Sequence, residues 1–185
     1  MKRAVVAALA TAGLLAAAVP AHAQVRIGGA LGLSTPTGDL GDVTGTGWHG
    51  MIVLGVQPTG LPIGLRFDGV YHSLGFDEDE VPFEGDIRIL GGAANALLVF
   101  APLSPLRPYI SGGVGVYNLK ANFDDDDILG DEDDSETKFG LNGGVGIQAA
   151  LTGFSMFAEV RYLTIFTDES NTNLFPLTVG FMIGR

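Results

Sequence analysis

From residue 25 to the end, the chain falls into short runs in which apolar and small or polar residues alternate with period two, the pattern of a β-strand with one greasy face. The last run is the clearest: Phe175, Leu177, Val179, Phe181 and Ile183 share one parity, and Thr178, Gly180, Met182 and Gly184 share the other. Eight such runs follow one another: Val25–Ser34, Trp48–Gln57, Ile63–Gly75, Asp86–Phe100, Arg107–Ala121, Glu136–Leu151, Phe154–Phe166 and Leu174–Gly184. Each is about the 9–11 residues that a tilted strand needs to cross a bilayer, or somewhat longer. No stretch after the N-terminal segment shows the 3.6 period of a helix, and glycine recurs too often to allow one.

What separates the runs alternates as well. Long polar segments (Thr35–Gly47, Phe76–Gly85, Asn122–Ser135, Thr167–Asn173) take turns with short ones holding Pro or Gly (Pro58–Pro62, Ala101–Leu106, Thr152-Gly153). An even number of strands with long loops at one end and tight turns at the other predicts an eight-stranded antiparallel up-and-down transmembrane β-barrel with both chain ends on the short-turn side. If the last strand pairs with the first, no edge is left. Every backbone N–H and C=O is then satisfied without water, as a bilayer requires.

Periodicity does not say which face is inside. In a soluble barrel the greasy face would enclose a ligand, but the opposite face would then show water Gly28, Gly32, Gly64, Gly140, Gly144, Gly146, Gly180 and Gly184, a glycine surface rather than a solvated one. Small residues fit a narrow eight-stranded lumen, so the apolar face is assigned to lipid. Aromatics near strand ends form two interfacial girdles: Trp48, Phe139, Tyr162, Phe166 and Phe175 at the long-loop end, and Phe100, Tyr109, Phe154 and Phe181 at the other. The fourth run resists this scheme, because Arg88 and Asn95 share a face only if a bulge slips the register, and Gly91-Gly92 is the expected place.

Six charged residues are read as inward: Arg66, Asp68, Asp86, Arg88, Glu159 and Arg161, three of each sign. A basic residue on the lipid face near the midplane costs roughly 2–4 kcal/mol, so the set belongs in the lumen. It reads either as a salt-bridged plug or as a path for protons or small ions.

Composition adds an address. Lys2 and Arg3, an apolar run from Ala4 to Val19 and Ala21-His22-Ala23 have the form of an export signal over residues 1–23, so the barrel domain is expected over 24–185. Loss of Lys2 and Arg3 leaves 8 basic against 21 acidic residues, −13 in place of −11, a sign that excludes nucleic acid as a partner. There is no Cys, hence no disulfide and no thiolate metal site. Catalysis is not indicated: of the histidines only His49 and His72 follow the signal, and although His72 shares a face with Asp68, Ser73 points the other way, so nucleophile and base do not converge locally.

With signal, strand count and loop lengths in hand, the segment Phe157-Ala158-Glu159-Val160-Arg161-Tyr162 and the closing Pro176-Leu177-Thr178-Val179-Gly180-Phe181 strand make the chain resemble the small OmpA/OmpX-like outer-membrane β-barrel proteins. The resemblance implies a closed, charged interior, a bacterial outer-membrane location with periplasmic termini and extracellular long loops, and insertion by the barrel-assembly machinery. Members usually end on an aromatic residue, and this chain ends on Arg185, whose stem is expected along the lipid face. The resemblance is to the barrel alone, so the peptidoglycan-binding domain of larger members, and cell-wall anchoring with it, is not expected. The expected role is non-enzymatic, in the envelope or in surface interaction, with a narrow channel for ions or solutes as the alternative. Partners are outer-membrane lipids and lipopolysaccharide, and the barrel is expected to be a monomer.

The long loops, with Glu136 at the edge of the third, hold 18 of the 21 carboxylates and no Lys or Arg, so they repel one another. They read as a solvated acidic brush, or, in the third loop, as a weak Ca²⁺ or Mg²⁺ site on Asp124, Asp125, Asp126, Asp127, Asp131, Glu132, Asp133 and Asp134 that bridges to lipopolysaccharide phosphates. Leu129 stands at a ligand position, so this is no EF-hand loop, and no other cofactor is implied.

Overall fold

The computed structural model describes residues 23–41, 44–58, 61–75, 85–123, 136–167 and 171–184. The strands are β1 (Ala23–Thr37), β2 (Gly47–Pro58), β3 (Ile63–Gly75), β4 (Gly85–Val99), β5 (Leu106–Phe123), β6 (Glu136–Ala150), β7 (Phe154–Phe166) and β8 (Asn171–Gly184). Each pairs antiparallel with its neighbour in sequence, and β1 closes on β8 from Arg26↔Gly184 to Thr37↔Asn173. A short 3-10 turn, Gly38–Leu40, follows β1. Among the described residues no helix is long and apolar enough to cross a membrane; in this fold strands do so.

Alternation sorts the two faces as the sequence predicts. Leu31, Ile52, Leu65, Val145, Val160 and Val179 stand on the outside with roughly half or more of their surface uncovered, Ile52 most at 70%. Arg66, Asp68, His72, Asn95, Glu159 and Thr178 are buried in the lumen. A soluble barrel would reverse these faces, and the cost of wetting so many branched apolar side chains identifies the outer surface as the lipid-facing one.

Two expectations fail, both through parity. No bulge occurs at Gly91-Gly92: β4 keeps one register with β3 from Ile63↔Leu98 to Gly75↔Asp86, and one with β5 from Gly85↔Phe123 to Val99↔Tyr109. Asn95 therefore points inward and Asp86 and Arg88 point outward. Tyr109 leaves the girdle, since on β5 the apolar outer positions are Ile110, Val114 and Val116, so Tyr109 and Tyr117 face the lumen, each 3% exposed.

The lumen is narrow, and its glycines let large side chains lie flat against the neighbouring strand. Tyr117 covers its cross-strand partner Gly91, Tyr109 covers Gly146, Phe157 covers Gly180, His49 covers Gly32 and Arg161 covers Gly144. A Cβ at any of these glycines would run into the side chain above it. This is aromatic covering of sheet glycines repeated around the barrel wall. The β7–β8 ladder skips from Val160↔Leu177 to Leu163↔Leu174, at Pro176, which has no N–H to give. In the tight β6–β7 turn, Gly153 takes φ +85°, which only glycine adopts freely, and the Leu151 N–H donates to the Phe154 carbonyl at 2.9 Å.

Candidate functional site

The candidate site is the lumen, which is layered along the barrel axis. At its middle, β3 and β7 each contribute an acid and a base two residues apart. These strands stand four apart in a ring of eight, so they face each other across the lumen. Arg66 Nη2 donates to both oxygens of Glu159 at 2.9 Å, and its Nε lies 3.2 Å from Asp68 Oδ1. Arg161 Nη2 donates to Asp68 Oδ2 at 2.7 Å, and Arg161 Nε contacts Glu159 Oε1. Each guanidinium thus touches both carboxylates. The result is a closed ring of alternating charge that spans the diameter.

The ring is neutral, and its side chains are between 0% and 10% exposed. A buried charge is tolerated only when paired and hydrogen-bonded, and the alternation supplies both conditions. Asn95 Nδ2 adds a bond to Asp68 Oδ2 at 2.9 Å. The Arg66 guanidinium also lies 5.6 Å from the Phe157 ring centroid and 6.0 Å from that of Tyr109, within cation–π range. Toward the short turns, Gln148 donates to Ser155 Oγ at 2.9 Å.

Toward the long loops lies a second polar layer, drawn from β8, β1, β2 and β3. Ser34 Oγ is 2.9 Å from His49 Nδ1 and 2.7 Å from His72 Nδ1, and His49 Nε2 is 2.9 Å from Thr178 Oγ1. The two imidazoles are register partners whose centroids stand 5.1 Å apart. Above them Leu74, Ile89, Ile165 and Leu174, all fully buried, close the lumen, and Leu40 of the 3-10 turn packs against this cluster. A cavity of about 20 Å³ separates the histidine layer from the charge ring.

Of the six charges read as inward, the fold brings Arg66, Asp68, Glu159 and Arg161 together and leaves two out. Asp86 and Arg88 form their own pair on the outer rim, 2.7 and 3.2 Å between donor and acceptor atoms, with half of the Arg88 side chain exposed. The expected bulge would have turned them inward, and unbroken pairing on both edges of β4 does not. His72 is buried in the lumen, and a hydroxyl does reach it, from Ser34 and not from Ser73. Ser34 and Thr178 carry no signal in a single strand, because their neighbours come from cross-strand register. Tyr109 and Tyr117 could have been found from parity. The acidic residues Asp124, Asp125, Asp126, Asp127, Asp131, Glu132, Asp133 and Asp134, the signal segment up to residue 22 and Arg185 lie outside the described residues. Among the described residues no three His, Asp or Glu side chains are grouped to hold a metal ion.

A closed eight-stranded wall, greasy outside and charged within, is the architecture of outer-membrane proteins, and comparison with known proteins agrees. The family model for the outer membrane protein beta-barrel domain matches residues 4–182. The chain belongs to this family. No curated protein matches it. Among solved structures, the barrel is similar to Neisserial surface protein A, with 20% identity, a TM-score of 0.62 and coverage of 89% of this chain and 98% of that one. It is likewise similar to a major outer membrane protein from Thermus thermophilus, at 13% identity, TM-score 0.64 and coverage of 88% and 99%. The outer membrane enzyme PagL matches at 17% identity, TM-score 0.52 and coverage of 85% and 98%. At these identities the likeness speaks for the fold alone, and that fold serves an enzyme as well as surface proteins.

Proposed function

We propose that this outer-membrane barrel is a non-enzymatic envelope or surface-interaction protein with a closed lumen, and that its acidic long loops face outward from the cell. The observation that carries this reading is the ring of Arg66, Asp68, Arg161 and Glu159, which bridges the lumen from β3 to β7 beneath an apolar cap. A hydrated ion would have to break four charge contacts and then pass Leu74, Ile89, Ile165 and Leu174. The non-enzymatic half rests on Ser34, which is fully buried beside its two histidines, so no acyl or peptide carbonyl can approach its hydroxyl.

In the same reading, residues 1–23 direct export, both termini are periplasmic and the barrel-assembly machinery inserts the chain as a monomer among outer-membrane lipids and lipopolysaccharide. The acidic third loop takes up Ca²⁺ or Mg²⁺ weakly. Protection of residues 122–135 from protease by calcium checks the last point, and equal cleavage with calcium and with chelator removes it. The lumen is tested by single-channel recording in planar bilayers. The closed reading expects no steady openings. Steady openings whose size changes in Arg66→Ala or Glu159→Gln would replace it with a narrow ion or solute channel. A change in lipid A acylation on expression that disappears in Ser34→Ala and His72→Ala would replace the non-enzymatic reading.

A further inference from the structure

We propose that the lumen binds one water molecule between Asn142, His72 and Asp68, and that the Ser34 hydroxyl holds His49 and His72 in opposite tautomers beside it. The cavity between the two polar layers has a volume of about 20 Å³, and all three residues line it. A buried water needs roughly 10–15 Å³ of such space and two to four polar partners, while a cavity that stays dry is lined by apolar groups. Here the partners are at hand. Asn142 is 9% exposed and neither its Nδ2 nor its Oδ1 makes a well-directed hydrogen bond. His72 uses Nδ1 on Ser34, which leaves Nε2 as its remaining nitrogen. Asp68 Oδ1 has the Arg66 Nε beside it at 3.2 Å but accepts no well-directed hydrogen bond. Unpaired polar groups in a low-dielectric interior are rare in native proteins, and the Asn142 amide and Asp68 Oδ1, sharing one water-sized space with the His72 ring, point to its occupant.

The opposite tautomers follow from counting hydrogens. The Ser34 hydroxyl carries one hydrogen and meets two imidazole Nδ1 atoms, so with both rings uncharged it donates to one and accepts from the other. The two histidines must therefore be opposite tautomers. An ionised carboxylate held by two guanidiniums only accepts, so the water gives one hydrogen to Asp68. Its other hydrogen and its lone pairs are shared between the Asn142 amide and His72 Nε2, while the opposite tautomers are fixed by the single Ser34 hydrogen. The assignment holds whether or not the barrel conducts, so its test is separate from that of the closed lumen.

The test is nitrogen NMR of the whole protein refolded in detergent micelles at neutral pH. The expected result is one ring protonated at Nδ1 and the other at Nε2, and a cross-peak from a long-lived water to the Asn142 side-chain amide. The same tautomer in both rings or a missing water cross-peak would overturn the proposal, and these wild-type readings require no variant to fold. In Asn142→Leu, whose branched side chain fills the cavity, the exchange peak from the long-lived water to the His72 ring should vanish while the rings keep opposite tautomers. A long-lived water beside His72 that persists in that variant would show that Asn142 does not hold it.

Discussion

The middle of the lumen and the outer rim of β4 carry the same local sequence pattern, an acid and a base two residues apart in a strand. Arg66 with Asp68 and Glu159 with Arg161 are sealed inside, with side chains at most 10% exposed, whereas Asp86 with Arg88 stands in the open, 24% and 51% exposed. Composition and spacing do not distinguish them. What does is parity relative to the apolar residues of the same strand: Arg88 shares its face with the exposed Leu90 and Leu98, and Arg66 lies opposite the exposed Ile63 and Leu65. Burial then changes what the same pair is worth. In the lumen each ion has lost its water and depends on its partner, and at the rim water can replace the partner.

The sharpest way to break this comparison is to delete one member of the inner ring. Arg66→Met leaves Glu159 without its bidentate donor and Asp68 with one guanidinium fewer, and removing one partner of a buried pair costs about 3–5 kcal/mol. Urea unfolding of the refolded barrel, read as the heat-modifiable band shift, should show a loss of that size. Arg66→Met combined with Glu159→Gln should lose less than Arg66→Met alone, because the stranded charge is gone. A double variant that loses the sum of both singles would mean that the ring is not a coupled unit.

The contrast also shows how far the sequence alone could go. All eight strands were legible because alternation belongs to one strand at a time. The ends of β3 and β7 were legible too, but others were not: β1 runs on to Thr37, β5 to Phe123, and β8 starts at Asn171, since ladder hydrogen bonds continue past the last apolar side chain. The four ring residues were legible as inward, yet their pairing across the lumen follows from barrel closure, which no single strand encodes. Asp86 and Arg88 are misplaced because they and Asn95 are all read as inward, which needs a bulge; without one, the inward Asn95 and the outward Leu90 and Leu98 together put Asp86 and Arg88 outside. Ser34 and Thr178, small hydroxyls beside glycines, announce nothing until register sets them against His49 and His72.

Glycine sharpens the same inside–outside contrast with a smaller effect. A Cβ at Gly91 would enter the Tyr117 ring, whereas one at Gly69, on the outer face of β3, meets nothing within 4 Å. Gly69 instead helps open a furrow of about 840 Å³ on the lipid-facing wall, beside Leu31, Trp48 and Tyr71. Gly91→Val should therefore cost about 1–3 kcal/mol by overpacking. Gly69→Val should be neutral or stabilise by up to about 1 kcal/mol, since strand glycine is disfavoured and the space is free. Equal losses in the two variants, by the same urea assay, would refute the claim that lumen glycines exist to seat side chains.

The smallest effect is expected at the rim. Arg88→Ala removes Nε and Nη2 contacts of 2.7 and 3.2 Å to Asp86, but Asp86 can be rehydrated at once, so the loss should stay below about 1 kcal/mol. Salt gives the decisive reading. At 1 M ionic strength the screening length is about 3 Å, so what Arg88 contributes should fade between dilute buffer and 1 M NaCl. The cost of Arg66→Met should hold over the same range, because counterions do not reach a ring closed under Leu74, Ile89, Ile165 and Leu174. Were salt to weaken both variants' effects alike, the inner ring would have to be open to water and ions, and the distinction between a buried and an exposed pair of the same sequence would collapse.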